Sequence, residues 1–292
     1  MIDFQSDYST WRENCLNAWQ NCTPLNAIKL KNPDQLDSAE LEQLAHQCQT
    51  ANFAIYQLEP ESNTREALPQ LTRYFGMTRC EQDEADHTIT ELRNIPMQGD
   101  LASAYIPYTD HRLNWHTDGY YNPFEQHIRS FLLHCQQPAL TGGENMILNH
   151  ELIYIALHDE DPALTAALMQ ADALTIPANV QAGIEVRSAQ TGPVFYRDPH
   201  SQRLQMRYTA RTRSIAWKQD ALVAHAAQRI QTLLQDQGVI RHTLQAGQGL
   251  ICNNILHGRS AFTDGNIPDQ QRLMYRVRSY DRLFDQPLNN DT

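Results

Sequence analysis

The sequence predicts a mainly β protein: a sandwich or jelly-roll core with helices packed on its outside. Three observations predict it. From about residue 88 the chain becomes a series of short apolar runs. Turn residues separate them, among them Asn122-Pro123, Thr141-Gly142-Gly143 and Asp264-Gly265-Asn266. The helical patterns gather in the residues before that point and in two later interruptions. The 292 residues are 41% hydrophobic, enough to fill a packed core. The reading is of a single domain over 1–292, helix-rich over about 1–87, with the jelly-roll core over about 88–283.

Taken in order, residues 34–50 predict the first helix. Leu36, Leu41, Leu44, Ala45 and Cys48 recur at helical spacing, and Asp37 or Ser38 can cap its start. NFAIYQL alternates as a strand does, and 65–75 predict a second helix closed by Gly76. The strand runs then follow: ITELRNI, ASAYIPY, IRSFLLHC, ENMILN, PVFYRD, LQMRYT, GLICNNIL and RLMYRVRSY. Helical patterns interrupt them over 149–171, broken near Pro162, and over 219–237.

Composition narrows the function classes. Lys and Arg total 23 against 34 Asp and Glu, a net charge of −11, which argues against a nucleic-acid partner. No apolar run is long enough to span a membrane, and the N-terminal residues carry no secretion signal. The six cysteines are widely and irregularly spaced, with no CxxC pair, so they read as free thiols in a reducing compartment. The expected location is the cytoplasm.

The chemistry concentrates in three segments. In RLNWHTDGYY, His116 and Asp118 are two apart, and on a strand such residues face the same way. His-x-Asp is short and common, and a surface His beside a turn Asp gives the same pattern. In GQGLICNNILHGRSAF an apolar strand ends at Asn253-Asn254, and His257 follows. Two His and one carboxylate form the facial triad of non-haem Fe(II) enzymes, with positions left open for a co-substrate and oxygen. Other histidines are available as the third ligand, so spacing alone does not single out His257. In QRLMYRVRSYDR, residues 272, 274, 276 and 278 share a strand face, which turns Arg272 and Arg276 the same way. Each guanidinium can grip a carboxylate through paired hydrogen bonds. A solvated face for these Arg, with Leu273, Tyr275 and Val277 in the core, remains the alternative.

With WHTDG, GGEN, NNILHGR and RLMYR in this order and spacing, the sequence resembles the Fe(II)/2-oxoglutarate-dependent dioxygenases of the taurine dioxygenase (TauD/TfdA-like) and clavaminate synthase-like group. The resemblance covers about Ala51 to Leu283. It implies a distorted double-stranded β-helix, a jelly-roll variant. It implies Fe(II), 2-oxoglutarate and O2 as cofactor and co-substrates, with His116, Asp118 and His257 as catalytic metal ligands. By it, Arg272 binds the distal carboxylate of 2-oxoglutarate, and Arg276 binds an acidic group of the primary substrate. The family often carries Thr after Gly-Gly-Asp/Glu to touch 2-oxoglutarate. Here Asn145 stands in that place, and its amide can still donate to a carboxylate. The implied reaction hydroxylates an unactivated C–H of a small anionic or zwitterionic substrate such as an amino acid or betaine. It releases succinate and CO2. Desaturation or cyclisation by the same cofactor chemistry, a catalytically silent jelly-roll binding protein and a zinc hydrolase are the alternatives. The presence of Asp118 argues against halogenation. Arg259 is a second candidate for the 2-oxoglutarate side. Arg203, Arg207, Arg211 and Arg213 read as a cavity entrance or a solvated hairpin. Tyr105, Trp115, Tyr120 and Tyr121 read as packing or substrate contact. The expected partner is a small molecule with an acidic group, with no nucleic acid and no membrane. Related enzymes are often dimers or tetramers, which leaves a homo-oligomer open.

Overall fold

In the computed structural model, residues 7–22, 25–59, 64–82, 88–95, 106–211, 215–235 and 238–285 are described. Ten strands build two facing sheets. They are β1 (Ile28–Leu30), β2 (Phe53–Leu58), β3 (Thr90–Arg93), β4 (Leu113–His116), β5 (Ser130–Gln137), β6 (Asn145–Leu148), β7 (Ile240–His242), β8 (Gln248–Cys252), β9 (Leu256–Arg259) and β10 (Leu273–Ser279). The larger sheet runs β1-β2-β8-β5-β10-β3, antiparallel except for β1 beside β2. The smaller runs β7-β6-β9-β4, antiparallel throughout. Strands distant in sequence are therefore neighbours, and late strands lie between early ones.

One apolar cluster joins the two sheets and continues to the helices that cover the smaller one. Phe53, Ile55, Phe131, Cys135, Leu250 and Met274 of the larger sheet belong to the same buried cluster as Met146, Ile147, Leu148 and Leu256 of the smaller. Strand alternation splits β2, β5, β8 and β10 between this core and a second one. Ala54, Tyr56, Leu58, Leu132, Ile251, Tyr275 and Val277 face the second cluster. Helices α2 (Ser38–Ala51) and α3 (Thr64–Tyr74) cover that outer face with Leu41, Leu44, Cys48, Leu68 and Leu71. Asp37 caps α2 in a full capping box with Glu40, so the cap is Asp37 and not Ser38. The 149–171 pattern is two helices, α4 (His150–Glu160) and α5 (Pro162–Leu168), the second starting at its proline. Helix α6 (Ala221–Leu233) packs with them on the first core.

Some elements differ from the sequence expectation. Helix α1 (Tyr8–Gln20) escapes it because only Trp11, Cys15 and Trp19 mark its buried face among polar neighbours. The run GLICNNIL is not one strand. Asn254 adopts a left-handed conformation with φ 51°, and the chain turns from β8 into β9. Of ASAYIPY, the described part is a single 3-10 turn over Ile106–Tyr108. None of the six cysteines is in a disulfide. Among the described residues, no helix is long and apolar enough to cross a membrane.

Candidate active site

His116 ends β4 and His257 lies on β9, and the register pairs them directly across the two antiparallel strands. Their ring centroids are 4.2 Å apart, and Phe131 of the facing sheet packs 4.5 Å from the His257 ring. In each imidazole, Nδ1 lies 2.9 Å from a backbone carbonyl, Asn114 O for His116 and Ile255 O for His257. A carbonyl only accepts, so Nδ1 carries the proton and Nε2 presents its lone pair. Asp118 Oδ1 is 3.5 Å from His116 Nε2 and 3.8 Å from His257 Nε2. One ligand atom from each residue lies within 4.8 Å of the others.

Asp118 does not arrive by strand alternation. The strand stops at His116, and Asp118 sits in the turn that follows. Asn254 holds that turn. Its side-chain oxygen accepts from the Asp118 backbone N–H at 2.7 Å, and its amide donates to Asp118 O at 3.0 Å and to Ile128 O at 2.7 Å. Gly119 completes the turn at φ 64°, where a Cβ would come within 2.6 Å of Ile128 Cγ1. The neighbouring Asn253 donates to Cys48 O and accepts from the Leu283 N–H. Sequence reasoning assigned Asn253-Asn254 to a strand end and missed this clamp. The left-handed propensity of Asn after an apolar run is the signal that points to it.

Electrostatically the cluster is poised. Burial opposes ionisation of Asp118, but Arg276 and the adjacent imidazoles outweigh it and hold the carboxyl well below its ordinary range. Arg276 Nη1 lies 3.8 Å from Asp118 Oδ2, which is buried and accepts no hydrogen bond. Burial, reinforced by the neighbouring His116, pushes His257 down to about 3.

The face 272, 274, 276, 278 is turned towards this interior. Met274 joins the inner core, while Leu273, Tyr275 and Val277 join the outer one. Arg278 pairs with Glu81 and donates to the Tyr121 hydroxyl at 3.2 Å. Arg272, Asn145, Gly142, Gly143, Thr243 and Met274 line one recess. Asn145 donates to His242 O at 3.3 Å, which occupies part of its amide. Burial pushes Arg272 down to about 10, and its Nη1 has no hydrogen-bond partner. Arg207 is neither at a cavity mouth nor solvated. It is buried, and its guanidinium donates to the carbonyls of Pro193, Tyr120, Gln190, Leu174 and Gly192. Trp115 and Tyr120 are core residues, whereas Tyr121 is half-buried beneath the Arg187 guanidinium, 5.4 Å from its ring centroid. Tyr105 and Arg213 lie outside the described residues.

The profile of the taurine catabolism dioxygenase TauD, TfdA family matches residues 19–278. The chain belongs to this family. A uridine-5'-phosphate dioxygenase from a Streptomyces species is 32% identical over 182 residues, 58% of this chain and 62% of that relative. The match thus spans less than two thirds of that relative's length. Two solved structures share the fold. The non-heme iron oxygenase OrfP in complex with Fe, succinate and (3S)-hydroxy-L-Arg superposes with a TM-score of 0.62 at 12% identity, covering 93% of this chain and 91% of that one. An asparagine oxygenase in complex with Fe(II), 2S,3S-3-hydroxyasparagine and succinate gives 0.58 at 14% identity, with the same coverage. The architecture of this TauD/TfdA family member is the distorted double-stranded β-helix that the resemblance implies, a variant of the jelly roll that the strand pattern predicts.

Proposed function

We propose that this chain is an Fe(II)- and 2-oxoglutarate-dependent oxygenase. It hydroxylates an unactivated C–H of a small anionic or zwitterionic substrate, releasing succinate and CO2. One observation carries the reading. Two imidazole Nε2 atoms and a buried carboxylate converge, and one carboxylate oxygen has no hydrogen-bond partner. Two neutral nitrogens and one anionic oxygen are the donor set that suits Fe(II) and leaves positions open. When bound, iron supplies the redox chemistry with O2 and 2-oxoglutarate that no side chain here provides.

The residues of the chain do the rest. His116 and His257 hold the metal through Nε2, with their proton fixed on Nδ1. Asp118 supplies the carboxylate, and Asn254 keeps its turn in place. Arg272 binds the distal carboxylate of 2-oxoglutarate, with Asn145 beside it in the recess. Arg276 takes the acidic group of the substrate. Arg278, next on that face, is already engaged by Glu81, whereas Arg276 Nε is buried without a partner. The two sheets and their helices work as one catalytic domain, and the free thiols suit the cytoplasm.

The test is succinate release from 2-oxoglutarate in air with Fe(II) and ascorbate. The panel holds amino acids, betaines, sulfonates and small acids. It also includes uridine 5'-phosphate, the compound in the relative's name and itself an anion. Succinate formation stimulated by one class is the expected result. Iron bound with no succinate formed would favour a silent binding protein of the same fold.

A further inference from the structure

Arg259 is the one residue of the HGR segment that the reading above leaves without a task. It is buried, and its Nη2 donates to Thr109 O at 2.7 Å and to His111 O at 2.6 Å. Its Nε is buried with no partner, as is Nη1 of Arg272. Both guanidiniums lie over one ring, Phe262, at 4.7 Å for Arg259 and 5.1 Å for Arg272. Among the described residues neither forms an ion pair. Asp264 acts on both guanidiniums and Asp110 on Arg259, but from beyond ion-pair distance, and an anion between two buried like charges that share one aromatic ring relieves them further.

The sheet says where that anion sits. Arg259 on β9 is directly opposite Asn145 on β6, and Asn145 lines the recess with Arg272. Cross-strand partners point to the same side of a sheet. His257 lies two residues earlier on β9, facing the same way and paired with His116. Two residues of strand advance about 6.6 Å. The smaller sheet therefore carries a metal-ligand row and, one same-face step further, a row bearing Arg259. A short dicarboxylate reaches from one to the other.

We infer that Arg259 is a positioning residue for the co-substrate, its charge adding to that of Arg272 to hold the distal carboxylate. The inference rests on the 2-oxoglutarate reading and extends it to a residue that does not line the recess itself. It acts across Phe262 and not by direct contact. Its signature is selective. It strengthens binding of a 2-oxo acid with a distal carboxylate and leaves unchanged one without it.

The experiment is anaerobic calorimetry of Fe(II)-loaded protein with 2-oxoglutarate and with 2-oxopentanoate, which lacks the distal carboxylate. In R259Q, 2-oxoglutarate affinity should fall about tenfold as one nearby buried charge is removed, while 2-oxopentanoate affinity stays unchanged. R259K, which keeps the charge, should retain most of the preference for 2-oxoglutarate. If R259Q does not fold, F262L removes the shared ring and should lower 2-oxoglutarate affinity alone. Equal loss for both ligands, or no loss for either, overturns the inference and leaves the functional reading standing. Wild-type protein that binds iron but neither 2-oxo acid overturns both.

Discussion

Asn254→Ala tests the clamp on the Asp118 turn. The substitution removes one acceptor and two donor contacts, leaving Asp118 N–H, Asp118 C=O and Ile128 C=O without their partner in a buried place. It also puts a residue other than Asn at φ 51°. At about 1 kcal/mol for each of three orphaned groups and about 1 kcal/mol for the left-handed backbone, the loss is about 4 kcal/mol. Asn254→Gly loses the same bonds but not the backbone cost, so it should be about 1 kcal/mol more stable than the Ala variant. Urea unfolding at neutral pH reads both numbers. Metal titration of the folded fraction reads the functional share, expected as about 10–100-fold weaker Fe(II) binding, because the amide orients a ligand and is not one. A loss under about 1 kcal/mol with metal affinity intact would refute the reasoning, since one clamp accounts for both effects.

Replacing His257 or His116 by Ala should abolish metal retention and succinate release while far-UV circular dichroism stays native. Turnover at the wild-type rate would sink the metal assignment. Arg272→Gln should raise the KM for 2-oxoglutarate by about tenfold or more, as one charge-assisted contact is lost. Arg276→Gln should weaken the primary substrate and spare 2-oxoglutarate, and the opposite pattern in steady-state kinetics would mean that the two roles are exchanged. Burial pushes His127 and His134 from 6.5 down to about 4. Between those values the unfolded chain binds protons that the native chain does not. Stability therefore rises with pH there, by about 1.4 kcal/mol per unit per histidine. Urea unfolding should show a clear drop from pH 7 to pH 5, and a flat profile would contradict the buried neutral state.

The strand pattern and the three motif segments were legible because both obey short-range rules. Apolar alternation marks β2, β5 and β10, and helical spacing marks α2 and α6. What the sequence hid is set by distant partners. Nothing local says that Arg207 is buried among five carbonyls or that Arg278 already has Glu81. The turn position of Asp118 was missed because His-x-Asp alternates like a strand, and Asn254, which holds the turn, is 136 residues away. Helix α1 was missed because its buried face is three residues wide in an otherwise polar stretch.

The interleaved larger sheet sets a timetable for the nascent chain. β5 is flanked by β8 and β10, both from the last fifth of the sequence. Until residue 252 has left the ribosome, β5 has neither neighbour and β2 lacks its partner β8, and β10 follows only at residue 279. Until then β2 and β5 expose open, apolar edges of the kind that recruit other chains. A polypeptide stopped before β8 is thus not a smaller version of the protein but a sheet with its middle missing. His257 arrives in the same late segment. The triad can be completed only after β8, which joins β2 to β5, has been made.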